Sequence, residues 1–116
     1  MINKKLRLAL AEYCKERDLE ECEQPIILDN HAYDNSIVGL TEDNHLIYNF
    51  ESMIQEFMED EECTEEEALE WIEYNTMRAL GYINQVGPGP IILYQSTDSI
   101  IENYLPYDYK EDSQEE

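Results

Sequence analysis

Positive charge is what this sequence has least of. Seven Lys and Arg stand against twenty-eight Asp and Glu in 116 residues, a net charge of −21. Phosphate attraction supplies most non-specific affinity for nucleic acid, so this balance excludes direct binding of DNA, RNA or an anionic membrane and favours basic protein surfaces. Long apolar runs are absent, so no segment reads as a bilayer span, and Met1 to Leu10 mix Lys and Arg with isolated aliphatics instead of forming a signal-peptide core. The compartment expected is the cytoplasm. Cysteine is scarce and odd in number: Cys14, Cys22 and Cys63 are widely spaced with no CxxC pair, which speaks against a disulfide framework and a zinc site and for reduced thiols. The Gly87-Pro88-Gly89-Pro90 loop lacks the Lys and Ser/Thr of a phosphate-binding loop, and no Gly-x-Ser-x-Gly elbow occurs. No catalytic residues and no cofactor are implied, and a non-enzymatic protein is expected.

What is present is acid, unevenly spread. Lys4, Lys5, Arg7, Lys15 and Arg17 face only Glu12 and Glu16 within the first seventeen residues, which leaves +3 there and −24 for the rest. Only Arg78 and Lys110 are basic elsewhere. A charge magnitude of about 2–8 suffices to keep a small domain soluble, so the excess calls for another explanation. A basic first helix lying against an acidic body, or against another copy, is one use of the asymmetry.

The apolar pattern predicts an α+β domain over residues 1–105: a hairpin-based sheet of three to four short strands packed on one face by three main helices. Ile2, Leu6, Ala9, Leu10 and Tyr13 share a helical face over residues 2–17. Ile26-Ile27-Leu28 reads as a brief strand, Asp29 to Asn35 as a loop, and residues 36–49 as a hairpin whose turn places Asn44 in the left-handed region. Phe50, Met53, Ile54 and Phe57 form the stripe of a second helix. Thr64 with Glu67 is a capping box opening a third, with Leu69, Ile72, Thr76 and Leu80 inward and Gly81 as its stop. Ile91 to Tyr94 reads as a further strand, residues 99–105 as weakly amphipathic, and 106–116 as an acidic disordered tail.

Three clusters are candidate sites. Eleven carboxylates and no Lys or Arg lie between Glu51 and Glu73. With apolar residues claiming the inner face, Glu56, Glu59, Asp60, Glu61, Glu62, Glu66, Glu70 and Glu73 are expected mostly to project outward. A solvated face is the ordinary reading, but like charges at helical spacing cost a few tenths of a kcal/mol per pair, so a surface for a basic partner competes with it. Nine tyrosines against two Phe and one Trp form the second feature, with Tyr104, Tyr107 and Tyr109 crowding the acidic end. Tyr suits interfaces, and carboxylates mixed with tyrosines resemble what an imitation of stacked bases on a phosphate backbone needs. Third, Asp29, His31 and Asp34 lie in one loop, yet their spacing matches no metal motif and Asx turns explain them. Arg78 is expected to tie its helix to carboxylates of the hairpin or loop.

Three pieces carry a resemblance: Tyr33-Asp34-Asn35-Ser36-Ile37-Val38-Gly39, Glu70 to Leu80, and Pro90-Ile91-Ile92. Together they resemble a group of small acidic proteins of phages, prophages and Gram-positive gut bacteria. The resemblance implies a mobile-element origin and carries no activity over to individual residues. Gly81 stands where it leads one to expect Pro.

These observations lead to an acidic binding protein that occupies the basic surface of a nucleic-acid-handling enzyme, an anti-CRISPR-like or other anti-defence DNA mimic in a phage setting. The alternatives are a homo-oligomeric structural or accessory protein joined through residues 2–17 and, third, a small metal-dependent hydrolase using Asp29, His31 and Asp34.

Overall fold

The hairpin sets the frame. In the computed structural model, which describes residues 2–110, β1 (Ile37–Leu40) and β2 (Leu46–Asn49) pair antiparallel with Leu40 opposite Leu46. The register slips between Ile37 and Gly39, so Val38 sits in a bulge and faces solvent. Asn44 closes the turn at φ 72°, a conformation its short amide side chain tolerates. That side chain is also a staple. Its Oδ1 accepts from the Tyr13 hydroxyl at 2.6 Å and its Nδ2 donates to the Glu23 carbonyl at 3.1 Å, tying α1 (Lys4–Glu16) and the turn at Glu21–Glu23 to the hairpin.

β3 (Ile91–Leu93) adds to the other edge of β2 in parallel, giving the order β1-β2-β3. A parallel neighbour needs a long crossover, and residues 50–90 supply it. The crossover holds α2 (Phe50–Glu61), α3 (Glu65–Trp71), a π-helical segment (Ile72–Met77) and α4 (Arg78–Val86). Asn49 starts α2 by accepting from the Ser52 N–H, and α2 buries Phe50, Met53 and Phe57 at the expected spacing. These meet Leu46 and Tyr48 from β2, Ala68 and Ile72 from the next helical stretch, and Leu28 and Tyr33. After β3, α5 (Thr97–Tyr104) is capped by Ser96 and touches α2 through a Ser99 hydroxyl to Glu51 hydrogen bond of 2.7 Å. The fold is α+β, as the pattern predicts. No helix among the described residues is long and apolar enough to cross a membrane.

Three local expectations are corrected. Ile26 to Leu28 is extended but joins no sheet, because its donors go elsewhere: the Ile26 N–H to the Pro88 carbonyl at 3.2 Å and the Leu28 N–H to the Tyr48 hydroxyl at 2.9 Å. Burial around that hydroxyl pushes the Tyr48 pKa up to about 12, so it stays a neutral acceptor. Gly81 does not stop its helix. A residue without Cβ is tolerated inside α4, which runs on to Val86 and yields only at Gly87-Pro88. The segment expected as an open loop winds into a 3-10 turn over His31–Ser36, capped by the Asn30 side chain on the Ala32 N–H. Of the expected disordered tail, residues 106–110 are exposed and 111–116 lie outside the described residues.

Candidate functional site: an acidic shoulder beside an aromatic cleft

Two helices meet at a tight corner, and the corner carries the acid. Glu62 ends α2 in the left-handed region at φ 55°, its N–H bonded to the Met58 carbonyl. Thr64 then opens α3: its hydroxyl accepts from the Glu67 N–H at 3.2 Å, while the Glu67 carboxylate accepts from the Thr64 N–H at 3.0 Å. Glu65, Glu66 and Glu67 occupy the first turn of α3, where the helix dipole favours negative charge. Glu59, Asp60, Glu61 and Glu62 occupy the last turn and cap of α2, where the dipole opposes them, and no basic residue offsets them there.

Glu59, Asp60, Glu61, Glu62, Glu66, Glu70 and Glu73 are all exposed, and Glu56 is half-buried on α2. None of those seven is paired with Lys or Arg among the described residues. Tyr104, Tyr107 and Tyr109 are exposed as well but belong elsewhere. The helix that carries Tyr104 starts beside Glu51, ten residues or about 15 Å along α2 from Glu61. No hydrogen bond or ring contact joins the three tyrosines to the acidic corner among the described residues.

The amino-terminal cations do not neutralise this shoulder. Lys4, Lys5 and Lys15 are exposed and reach no carboxylate among the described residues, and Arg17 lies over the Tyr13 ring at 5.1 Å. Arg7 instead holds Asp34 in a two-pronged bond, Nε to Oδ2 at 2.7 Å and Nη2 to Oδ1 at 2.8 Å, joined by the Asn3 N–H at 2.9 Å. Asp34 is 1% exposed. Burial pushes its carboxyl upward, but the bonds from Arg7 and Asn3, together with the charges of Arg7 and His31, outweigh that and hold it below the usual carboxylate range. Asp34 is therefore committed to structure, while Asp29 and His31 are exposed. Among the described residues no group of three or more His, Cys, Asp and Glu side chains could hold a metal ion.

Arg78 also departs from expectation. It is exposed and stacks over the Tyr74 ring at 4.7 Å instead of tying its helix to carboxylates. Four residues separate Tyr74 from Arg78, close to one helical turn, which brings the exposed guanidinium over the exposed ring.

Beside the shoulder lies a cleft of about 240 Å³ that sequence reasoning missed. It runs between Leu28, Asp29, Asn30 and Tyr33 on one side and Trp71, Asn75, Thr76, Ala79 and Ile83 on the other. The Trp71 ring packs on Phe57 with centroids 5.0 Å apart and remains 44% exposed. The wide π-helical turn carries Asn75, whose Nδ2 donates to the Trp71 carbonyl at 3.0 Å, and Thr76, whose hydroxyl meets that of Tyr33 at 3.4 Å. Such turns recur at functional sites. Trp71 and Asn75 also line a shallower hollow of about 500 Å³ with Glu67, Glu70 and Tyr74. The available signal was the density of Trp, Tyr, Asn and Thr in residues 71–76, but what those residues face is decided by a segment some forty positions earlier.

In comparisons with protein families, curated proteins and solved structures, nothing matches this chain.

Proposed function

We propose that this is a non-enzymatic binding protein whose acidic shoulder occupies the basic surface of a nucleic-acid-handling protein. The observation that carries this reading is the uncompensated charge of Glu59, Asp60, Glu61 and Glu62 at the unfavourable end of α2. Carboxylates at that position weaken the helix, so their retention fits a use outside the chain. In a phage or prophage, the setting that the sequence leads one to expect, such a protein would act as an inhibitor of host defence, anti-CRISPR-like or another DNA mimic. A tagged full-length chain, used to capture proteins from bacterial lysate in 50 and 500 mM salt, tests it. Identified nucleic-acid-binding proteins should be held at low salt and released at high salt, where screening is stronger. They should not be held by a variant carrying Glu59→Gln, Asp60→Asn, Glu61→Gln and Glu62→Gln. Captured proteins that ignore both salt and the substitutions, or none at all, would overturn the reading.

A second reading is favoured by the amino-terminal helix. Lys4, Lys5 and Lys15 have no carboxylate partner among the described residues, and Leu8 is 66% exposed beside them. Docking of this helix on the shoulder of another copy would use all four residues. Light scattering across a concentration series should then show a mass above one chain that falls to one chain in a Lys4→Glu, Lys5→Glu, Leu8→Asp variant. A single-chain mass throughout removes this reading.

A further inference from the structure

The cleft beside Trp71 is too small for an ordinary small-molecule site. Its volume of about 240 Å³ falls below the about 300–1,000 Å³ of pockets that enclose small ligands, and suits one inserted side chain. Its walls say which kind. Leu28, Ala79 and Ile83 are aliphatic, and Trp71 offers an exposed indole. The polar side chains that line the cleft include acceptors without a partner of their own. The Asp29 carboxylate is exposed and has neither a hydrogen bond nor an ion pair among the described residues. Asn75 uses its Nδ2 on the Trp71 carbonyl, which leaves its Oδ1 without a partner among the described residues. No Lys, Arg or His lines the cleft.

Resting on the binding-protein reading above, the geometry points to this cleft as the seat of a single arginine side chain of the partner. The aliphatic stem lies along Leu28, Ala79 and Ile83. The guanidinium stacks on Trp71 and donates to the Asp29 carboxylate and the Asn75 Oδ1. Arginine fits better than lysine because a planar, weakly hydrated fork with five donors can stack and serve separated acceptors together, whereas an ammonium is a compact, strongly hydrated point charge. The molecule shows the same chemistry at its own expense next door, where Arg78 rests on Tyr74 at 4.7 Å. Glu67 and Glu70, in the hollow on the other side of Trp71, supply further attraction for a basic segment entering the cleft. An aromatic anchor within a rim of charge is the arrangement in which a few residues carry most of the energy of an interface.

The chain has one Trp, so its indole N–H gives a single nuclear magnetic resonance signal that reports on the cleft. The isotope-labelled full chain is titrated with the acetyl-amide forms of arginine, of lysine and of citrulline, which is planar but neutral. The indole signal should shift saturably with arginine, more weakly with lysine and not with citrulline. Asp29→Asn is the variant of choice, because Trp71 supports Phe57 and its removal could unfold the chain, whereas the Asp29 side chain holds nothing in place. It should weaken the arginine response about fivefold, the effect of one partly exposed ion pair. No saturable shift, a shift that citrulline or lysine matches, or an Asp29→Asn variant that responds like the wild type would each overturn the seat. The two proposals fail separately: neutralising Glu59 to Glu62 should leave the arginine response intact, and Asp29→Asn should leave the salt-dependent capture by the shoulder intact.

Discussion

The carboxylate of Asp34 and those at the end of α2 have the same chemistry in opposite surroundings. Asp34 is buried, and Arg7 and the Asn3 N–H saturate it. Glu59 to Glu62 are exposed, crowded and set against the negative end of a helix dipole. Three positions on, Glu65 to Glu67 meet the positive end of the next dipole and help to start it. One functional group thus serves three ends. It anchors the fold at Asp34, supports a helix at the start of α3, and at the end of α2 opposes the helix dipole with no basic residue of that turn to offset it. Charge counts alone would have pooled all three.

The contrast is sharpest at Arg7. Arg7→Ala leaves Asp34 a buried charge held only by the Asn3 N–H and should lower stability by about 3 kcal/mol, the lower end of the cost of breaking a buried pair. Urea denaturation at pH 7 measures this, and a loss no larger than that of a surface substitution would place the Asp34 pair among the ornamental ones.

Acid should narrow that gap. Asp34 is held below its unfolded value of about 3.9, so the stability it contributes is complete above that pH and drains away as pH falls through the lower folded value. In Arg7→Ala, burial is opposed only by the Asn3 N–H and the charge of His31, so protonating the carboxyl costs the variant less than it costs the wild type. The two proteins should differ less at pH 3 than at pH 7, and a gap that stays constant would contradict the assignment.

A smaller effect tests the favourable end of α3. Thr64→Ala removes one half of the capping box and should cost about 1 kcal/mol in thermal or urea melts. The smallest effect has the opposite sign: Glu61→Lys replaces an ill-placed carboxylate at the end of α2 and should stabilise by a few tenths of a kcal/mol. If Glu61→Lys destabilises by as much as Thr64→Ala, the acidic corner is a structural device and the argument for an external partner weakens.

Much of the local structure was legible because it depends on neighbours in sequence. The left-handed Asn44, the capping box of Thr64 and Glu67, and the stripe of Phe50, Met53 and Phe57 each require only residues a few positions apart. Misreadings arose where a distant group intervened. Ile26 to Leu28 has the composition of a strand, but the Pro88 carbonyl and the Tyr48 hydroxyl take its donors. Gly81 looks like a stop, but the stretch that carries it continues to Gly87. Of the candidate site, the exposure of the acidic residues followed from the apolar stripe, whereas the cleft was invisible because its two walls lie some forty residues apart.

By itself, then, the sequence determined the excess of acid, the hairpin, the helix starts and the faces the helices bury, because backbone geometry and 3.6-residue periodicity act over one or two turns. Only the tertiary structure decided that Arg7 meets Asp34 and leaves the shoulder bare, that Arg78 rests on Tyr74, and that Trp71 and Asp29 line one cleft. Those outcomes depend on where the crossover from β2 to β3 sets its helices down, and a long-range contact is specified by the packing of the whole core and not by any one segment.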